Sequence, residues 1–193
     1  MGGEARLKDG DEVIWLAAVD GQPIEIVATG GLTLTASTLG ATTQRIRRVN
    51  DNIASIDFTA SVSGEVTIKS LKFTFEGLAV PVNKLFSVVL IDPITGANWN
   101  GSPVAGCQAG SARTCVVVFN HFNQGSPVII RGTTKSIYLR VVDSRLFYDG
   151  LNTSDSLLVQ FKSVSDLIWN DGATDRNLDP RLVPWQFAAM SYE

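Results

Sequence analysis

The sequence is poor in the residues that most often carry chemistry. Its 193 residues include one histidine and two cysteines, and 18% are charged, against about 25% in typical soluble domains. A zinc site of the usual kind lacks ligands, because there is no second histidine or second cysteine pair. A Ser-His-Asp set would depend on His121 alone, and no G-x-S-x-G motif is present. We therefore expect that the protein is not an enzyme and uses no cofactor.

Positive charge and long apolar runs are also scarce. The formal net charge is −3 and the pI is about 5.2, and the only dense basic cluster is formed by Arg45, Arg47 and Arg48. A nucleic-acid partner is not expected, since phosphate backbones are bound by basic surfaces. No apolar run reaches the length of about 18 residues that a membrane-spanning helix needs. Residues 1–12 also lack the apolar core of a signal peptide, so any leader for export would already have been removed.

Turn-forming residues are plentiful and divide the chain into short pieces. Gly, Pro, Asn and Asp recur roughly every 8 to 15 residues, and the pieces between them are rich in Val, Ile, Thr and Phe. This spacing predicts an all-β fold, an Ig-like or jelly-roll-like β-sandwich of antiparallel strands. The predicted strands are Glu12–Val19, Pro23–Ala28, Leu32–Ser37, Ile53–Ser61, Glu65–Glu76, Phe86–Ile91, Thr114–Asn120, Val128–Arg131, Ser136–Val142, Ser156–Lys162 and Val183–Ser191.

The alternation of apolar residues changes phase inside one predicted strand. In Glu65–Glu76, Val66 and Ile68 have one parity, and Leu71, Phe73 and Phe75 have the other. A strand directs alternate residues to one face, so a single extra residue would place both sets on the same face. We predict a β-bulge near Lys69-Ser70.

Two segments fit both strand and helix patterns. From Ala41 to Ile56 the apolar residues have helical spacing, but Asn50-Asp51-Asn52 favours a turn, so we prefer strand-turn-strand. Leu157 to Ile168 could form an apolar helical face. The surrounding β pattern favours a strand there, with a short helical turn around Ser163–Leu167.

The first 31 residues are the part of the chain most easily set apart. Gly30-Gly31 precedes the alternating run LTLTAST, which divides the chain into an N-terminal arm, 1–31, and a sandwich domain, 32–193. The arm could be an edge strand of its own domain or could pair with a second copy of the chain. The residues proposed for such assembly are Val13, Trp15, Ala17 and Val19.

Two loops carry further candidates. Cys107 and Cys115 stand in GCQAGSARTC, where they are either a disulfide, the preferred interpretation, or unrelated thiols. A disulfide would indicate an oxidising compartment. The loop Asn170–Asp179 is either a calcium site or an ordinary Asx-rich loop. Its candidate metal ligands are Asp171, Asp175, Asn177 and Asp179.

A sugar-binding surface would need two or three of the four tryptophans to converge on an exposed face. Trp99, in GANWNGS, is the one that we expect to be exposed. Core or rim packing is the alternative for all four.

Several strand and turn patterns resemble a β-sandwich module of large secreted and surface-layer proteins of bacteria, notably of candidate-phyla lineages. The matching segments are IDFTASVSGEVTIKSLKFTFEG (Ile56–Gly77), SVVLIDPITG (Ser87–Gly96) and VIIRGTTKSIYLRVV (Val128–Val142), followed by NTSDSLLVQF and LIWNDG. The resemblance covers roughly Leu32 to Gly172. It implies an Ig-like fold in a structural or adhesive cell-surface protein.

Two hypotheses follow from these patterns. The first is an extracellular, non-enzymatic structural protein, a subunit of a surface layer, pilus-like filament or matrix fibre that self-assembles by β-strand pairing. The second is an adhesin or carbohydrate-binding module with surface glycans as partners.

Overall fold

The computed structural model describes residues 24–28, 31–78, 87–100, 105–106, 109–111, 113–123, 125–146 and 155–192. The strands are Ile24–Ala28 (β1), Leu32–Thr38 (β2), Val49–Ala60 (β3), Val66–Leu78 (β4), Ser87–Ile91 (β5), Ala105–Gly106 (β6), Ala109–Ser111 (β7), Thr114–Phe119 (β8), Val128–Ile129 (β9), Thr134–Asp143 (β10), Asp155–Phe161 (β11), Leu167–Asn170 (β12), Asp175–Asn177 (β13) and Trp185–Tyr192 (β14). Short 3-10 helices span Ser144–Leu146, Val164–Asp166 and Pro180–Leu182.

These strands form two antiparallel sheets, so the predicted all-β class is confirmed. The first sheet has the order β1-β2-β3-β10-β5-β6. The second has the order β13-β12-β4-β11-β14, with β8 and β9 also paired to β4, and β7 paired to β8. The two sheets pack face to face as a β-sandwich, because each presents a row of alternating buried side chains to the other. Over the described residues, no helix is long and apolar enough to cross a membrane.

Strand β4 is the centre of the second sheet and is paired along both edges. β11 and β12 lie along one edge, and β8 and β9 lie along the other. The register with β12 shifts between Ile168 and Trp169, which leaves Lys69 as an extra, exposed residue in β4. The predicted bulge is thereby confirmed. It places Ile68 and Leu71 in the same buried layer.

The core between the sheets is rich in phenylalanine. Phe73 lies at its centre, stacked on Phe161 with 5.2 Å between ring centroids and edge-on to Phe119 and Phe187. Aromatic pairs in these orientations stabilise beyond the area that they bury. The core therefore ties β4, β8, β11 and β14 into one layer.

The prediction of a turn at Asn50-Asp51-Asn52 is wrong, and so is the helical alternative. β3 runs without interruption from Val49 to Ala60. Asn50 adopts a positive φ of 53° inside this strand, and the register with β10 shifts so that Ile53 is an extra residue. The Asx residues thus sit in a bulged strand, because asparagine tolerates the left-handed region better than most residues. In contrast, the short helical turn expected near Ser163–Leu167 is confirmed as the 3-10 helix Val164–Asp166.

The N-terminal part of the chain is only partly described. Ile24–Ala28, the end of the predicted arm, pairs with β2 at the edge of the first sheet. The predicted strand Glu12–Val19, with Val13, Trp15, Ala17 and Val19, lies outside the described residues. The division of the chain at residue 31 stays a prediction.

Candidate functional site

A cleft opens between the two sheets at the end of the sandwich where β3 ends and β10 begins. Its volume is about 530 Å³. Its walls combine two aromatic rings, two amides and two opposite charges, contributed by Trp99, Phe122, Asn98, Asn123, Asp92 and Lys135. This mixture of apolar surface and a few polar groups is typical of small-molecule sites.

The two charged residues lie at the same end of the first sheet. Lys135 is directly opposite Phe58 in the pairing of β10 with β3, and Phe58 is fully buried. Opposed residues share a face of a sheet, so β10 directs Lys135 toward the space between the sheets, just beyond the end of the core. Asp92 lies in the turn that follows β5, and its carboxylate lines the same cleft.

Trp99 forms the floor of the cleft, and the expectation that it is exposed is wrong. Its backbone N–H donates to the carbonyl of Leu90 at 2.9 Å, and its carbonyl accepts from the N–H of Asn123 at 2.7 Å. The loop is thereby pinned to β5, and the indole is only 7% exposed. Phe58 stacks on the ring at 6.1 Å, and the Lys135 ammonium lies 5.1 Å from the ring centroid.

Asp92 is held in its place by the tight turn that it begins. One carboxylate oxygen accepts from the N–H groups of Thr95, at 3.0 Å, and Ile94, at 2.8 Å. The hydrogen bond from Thr95 is the main reason why the pKa of Asp92 lies below its usual value, and Lys135 lowers it further. Asp92 is therefore an anion at neutral pH.

The acidic loop proposed for calcium is organised by its own hydrogen bonds. Asp171 accepts from the N–H groups of Ala173 and Thr174, and its other oxygen accepts from Arg176 at 2.7 Å. These contacts, led by the one from Thr174, hold the pKa of Asp171 well below its usual range.

The remaining candidate ligands have other environments. Asp175 accepts from Asn170, Asp179 caps the 3-10 helix that follows it, and Asn177 pairs with Ile168 in the sheet. No group of three or more His, Cys, Asp or Glu side chains in the described segments could hold a metal ion. The hydrogen bonds favour the ordinary Asx-rich loop, and the calcium site stays a prediction.

The other sequence candidates are scattered. His121 is exposed, and its Nδ1 lies 2.9 Å from the side-chain oxygen of Asn120. Trp169 and Trp185 are buried in the core, so they form no exposed platform with Trp99. Cys115 is buried on β8, whereas Cys107 lies outside the described residues, so their pairing stays a prediction.

A buried charge cluster, which the sequence does not indicate, closes the opposite end of the sandwich. Asp51 accepts from Arg45 at 2.5 Å, from Arg48 at 3.0 Å and from the hydroxyl of Tyr192 at 3.2 Å. Burial opposes ionisation of Asp51, but the two arginines outweigh it and lower its pKa. Burial is the main reason why the pKa of Tyr192 is raised, so its hydroxyl keeps its proton. The local signal is the basic run at Arg45–Arg48 followed by Asp51, whereas Tyr192 comes from the distant strand β14.

The chain between the end of β2 and Arg45 covers the outer edge of β14. The N–H of Arg45 donates to the carbonyl of Ser191, and the N–H of Ser191 donates to Thr42, both at 2.8 Å. The N–H of Ala189 reaches the hydroxyl of Thr38 at 3.4 Å. β1, at the edge of the first sheet, has one partner strand, β2, in the part of the chain that the structure describes.

Comparison with known proteins adds no relative. No protein-family model matches the chain, and no curated protein matches it either.

Proposed function

We propose that the protein is a non-enzymatic, extracellular structural subunit of a surface layer, pilus-like filament or matrix fibre, and that copies join by β-strand pairing. The observation that carries the proposal is the difference between the two long edge strands. β14 has an edge occupied by Thr38, Thr42 and Arg45, whereas β1 is the outermost strand of its sheet among the residues that the structure describes.

An edge strand offers a row of backbone donors and acceptors to another strand. β1 has five residues, which suffices for strand addition by an extended segment. The segment EVIWLAAV at Glu12–Val19 is the proposed incoming strand, because its alternating Val13, Trp15, Ala17 and Val19 would form one apolar face. Each copy would then receive a strand at β1 and supply one to the next copy.

A surface location is supported by the motifs that resemble secreted and surface-layer modules and by the cysteine pair. The resemblance also suggests the Ig-like variety of sandwich. A sandwich of two antiparallel sheets, in a chain with 18% charged residues, is compatible with a structural role.

The assembly is tested by separating the incoming strand from the receiving one. A chain lacking residues 1–23 keeps β1 and should stay monomeric in sedimentation velocity and electron microscopy, whereas the full chain should form larger species. Mixing the truncated chain with the full chain should cap growing assemblies, because it can receive a strand but cannot supply one. If the truncated chain polymerises as well as the full chain, pairing through the arm is refuted.

Proline substitutions at neighbouring positions test the receiving edge. Successive residues of a strand direct their N–H groups to opposite sides, and proline has no N–H. Of Glu25→Pro and Ile26→Pro, the one whose N–H faces β2 should lower stability. The other should leave the thermal midpoint nearly unchanged and reduce assembly. Full assembly by both variants would exclude β1.

A second candidate function is a carbohydrate-binding or adhesive module. The cleft at Trp99 favours it, because small-molecule sites combine apolar rings with a few polar groups, and its amides can bond sugar hydroxyls. A glycan array provides the test. Specific sugar binding without self-association would favour this candidate over the first.

A further inference from the structure

We propose that the cleft at Trp99 binds the carboxylate-bearing ring of an acidic polysaccharide, a uronic acid, with Lys135 as the group that recognises the carboxylate. This inference rests on the second candidate function and names its ligand class. It is independent of strand pairing at β1.

The cation is already in place before a ligand arrives. Attraction to the indole of Trp99, at 5.1 Å, orients the Lys135 ammonium over the floor of the cleft. No carboxylate in the described segments lies within ion-pair distance of Lys135, and Asp92 acts on it only at longer range. Its three N–H donors are therefore able to bond a ligand carboxylate.

The aromatic groups have different roles. Phe58 and Lys135 both lie against the indole of Trp99, so the indole has little ring surface left for a sugar. Phe122 is only half-buried and stands edge-on to Trp99, with their planes at 81° and 6.5 Å between centroids. Phe122 therefore supplies the apolar wall for the C–H face of a sugar ring.

The remaining polar groups suit hydroxyls. The amides of Asn98 and Asn123 can donate and accept, and the Asp92 carboxylate can accept from a sugar hydroxyl. Asp92 also limits the charge of the ligand, because a group with several negative charges would be repelled by it. A single carboxylate on a polyhydroxylated ring satisfies both Lys135 and Asp92, whereas a phosphate- or sulfate-rich ligand does not.

Two probes that differ only in the recognised group give the sharpest test. Methyl β-D-glucuronide carries a carboxylate where methyl β-D-glucoside carries a hydroxymethyl group. We expect NMR titration to show the glucuronide shifting the Trp99 indole N–H signal, with the glucoside binding about tenfold more weakly, the size of effect expected for losing one charge-assisted hydrogen bond. The discrimination should shrink at high salt.

The variant Lys135→Met keeps the aliphatic stem and removes the charge. It should bind both probes equally, at the level of the glucoside. Lys69→Met removes the exposed lysine of the β4 bulge and is the matched control that should retain the preference. Thermal melting of each variant verifies that it is folded.

The outcomes distinguish binding of sugars in general from recognition of an acidic sugar by Lys135. Equal binding of both probes by the unmodified protein would overturn the acidic ligand class and leave sugar binding standing. Binding of neither probe, with no acidic or neutral glycan retained on an array, would overturn both. A preference that survives Lys135→Met would overturn the role of Lys135.

Discussion

The guanidinium of Arg45 lies 2.5 Å from a carboxylate oxygen of Asp51, and both side chains are almost completely buried. The same guanidinium donates to the carbonyls of Leu39, Ala41 and Asn52. One side chain thus joins the loop after β2 to the start of β3. Through Tyr192, Asp51 also fixes the last residues of β14.

Removing one charge from this pair should be costly. For Asp51→Asn we expect the free energy of unfolding to fall by about 3–5 kcal/mol, because Arg45 would be left as a buried charge without its partner. Chemical denaturation measures the change. Arg145→Met, which removes an exposed arginine paired with Asp143, is the control and should have little effect. If both variants lower the free energy of unfolding by the same amount, burial does not make the Arg45–Asp51 pair more important for stability than an exposed pair.

Acid should weaken the protein through the same carboxylate. The pKa of Asp51 is lowered in the folded state. The stabilisation that its ionised carboxylate gives to the fold is therefore complete above the usual aspartate pKa of about 3.9. The contribution is lost as the pH falls below that value through the folded pKa. We expect the denaturation midpoint to drop as the pH falls below about 4, and to drop less in Asp51→Asn. Parallel pH profiles of the two proteins would contradict this assignment.

Deleting Lys69 alone should be tolerated, whereas deleting Lys69 and Ser70 together should not. Without the extra residue, Val66, Ile68, Leu71 and Phe73 alternate regularly and keep the same buried face. Loss of both residues makes Ile68 and Leu71 neighbours on opposite faces, so we expect little folded protein by circular dichroism and gel filtration. Lys69→Gln keeps the bulge and should match the parent protein. Equal loss of folded protein in the two deletion variants would contradict the assignment of Lys69 as the extra residue.

Calcium should leave the thermal midpoint unchanged if the loop containing Asp171 is held by Arg176 and by backbone N–H groups, as the contacts indicate. Calorimetry of the protein in a chelator and after return of calcium makes the comparison. A midpoint that rises with calcium, and that no longer does so in Asp175→Asn, would establish the metal site.

The cysteine pair is open to direct measurement. Alkylation without prior reduction should leave Cys107 and Cys115 unlabelled in the mass spectrum if they form a disulfide. Reduction should then lower the free energy of unfolding by roughly 2.5 kcal/mol, the chain-entropy value for a loop of about nine residues. Complete labelling without reductant would show two thiols.

Regular alternation made the long strands predictable. β2, β8, β10 and β11 each alternate buried and less buried residues over most of their length, and the phase change at Lys69 located a bulge. The short strands β12 and β13 were missed. Four and three residues are too few for a period of two, and β13, Asp175–Asn177, is exposed throughout.

The cleft depends on contacts between parts of the chain that are far apart. Trp99 stands in a polar loop, and it is held inward by its backbone hydrogen bonds to Leu90 and Asn123 and by the stacking of Phe58 on its ring. Nothing in the sequence around Lys135 or Asp92 indicates that these two charged residues line the same cleft. Local sequence contains neither fact, so the aromatic residue could be noticed from the sequence but its burial could not.

The double pairing of β4 has a consequence for the order in which the chain folds. Among the described residues, every strand that pairs with β4 follows it in the sequence, from Thr114 to Asn170, so none of these partners has been made when the first hundred residues leave the ribosome. Contacts of such long sequence separation form slowly. The second sheet therefore forms late, because its central strand waits for partners that are synthesised after it.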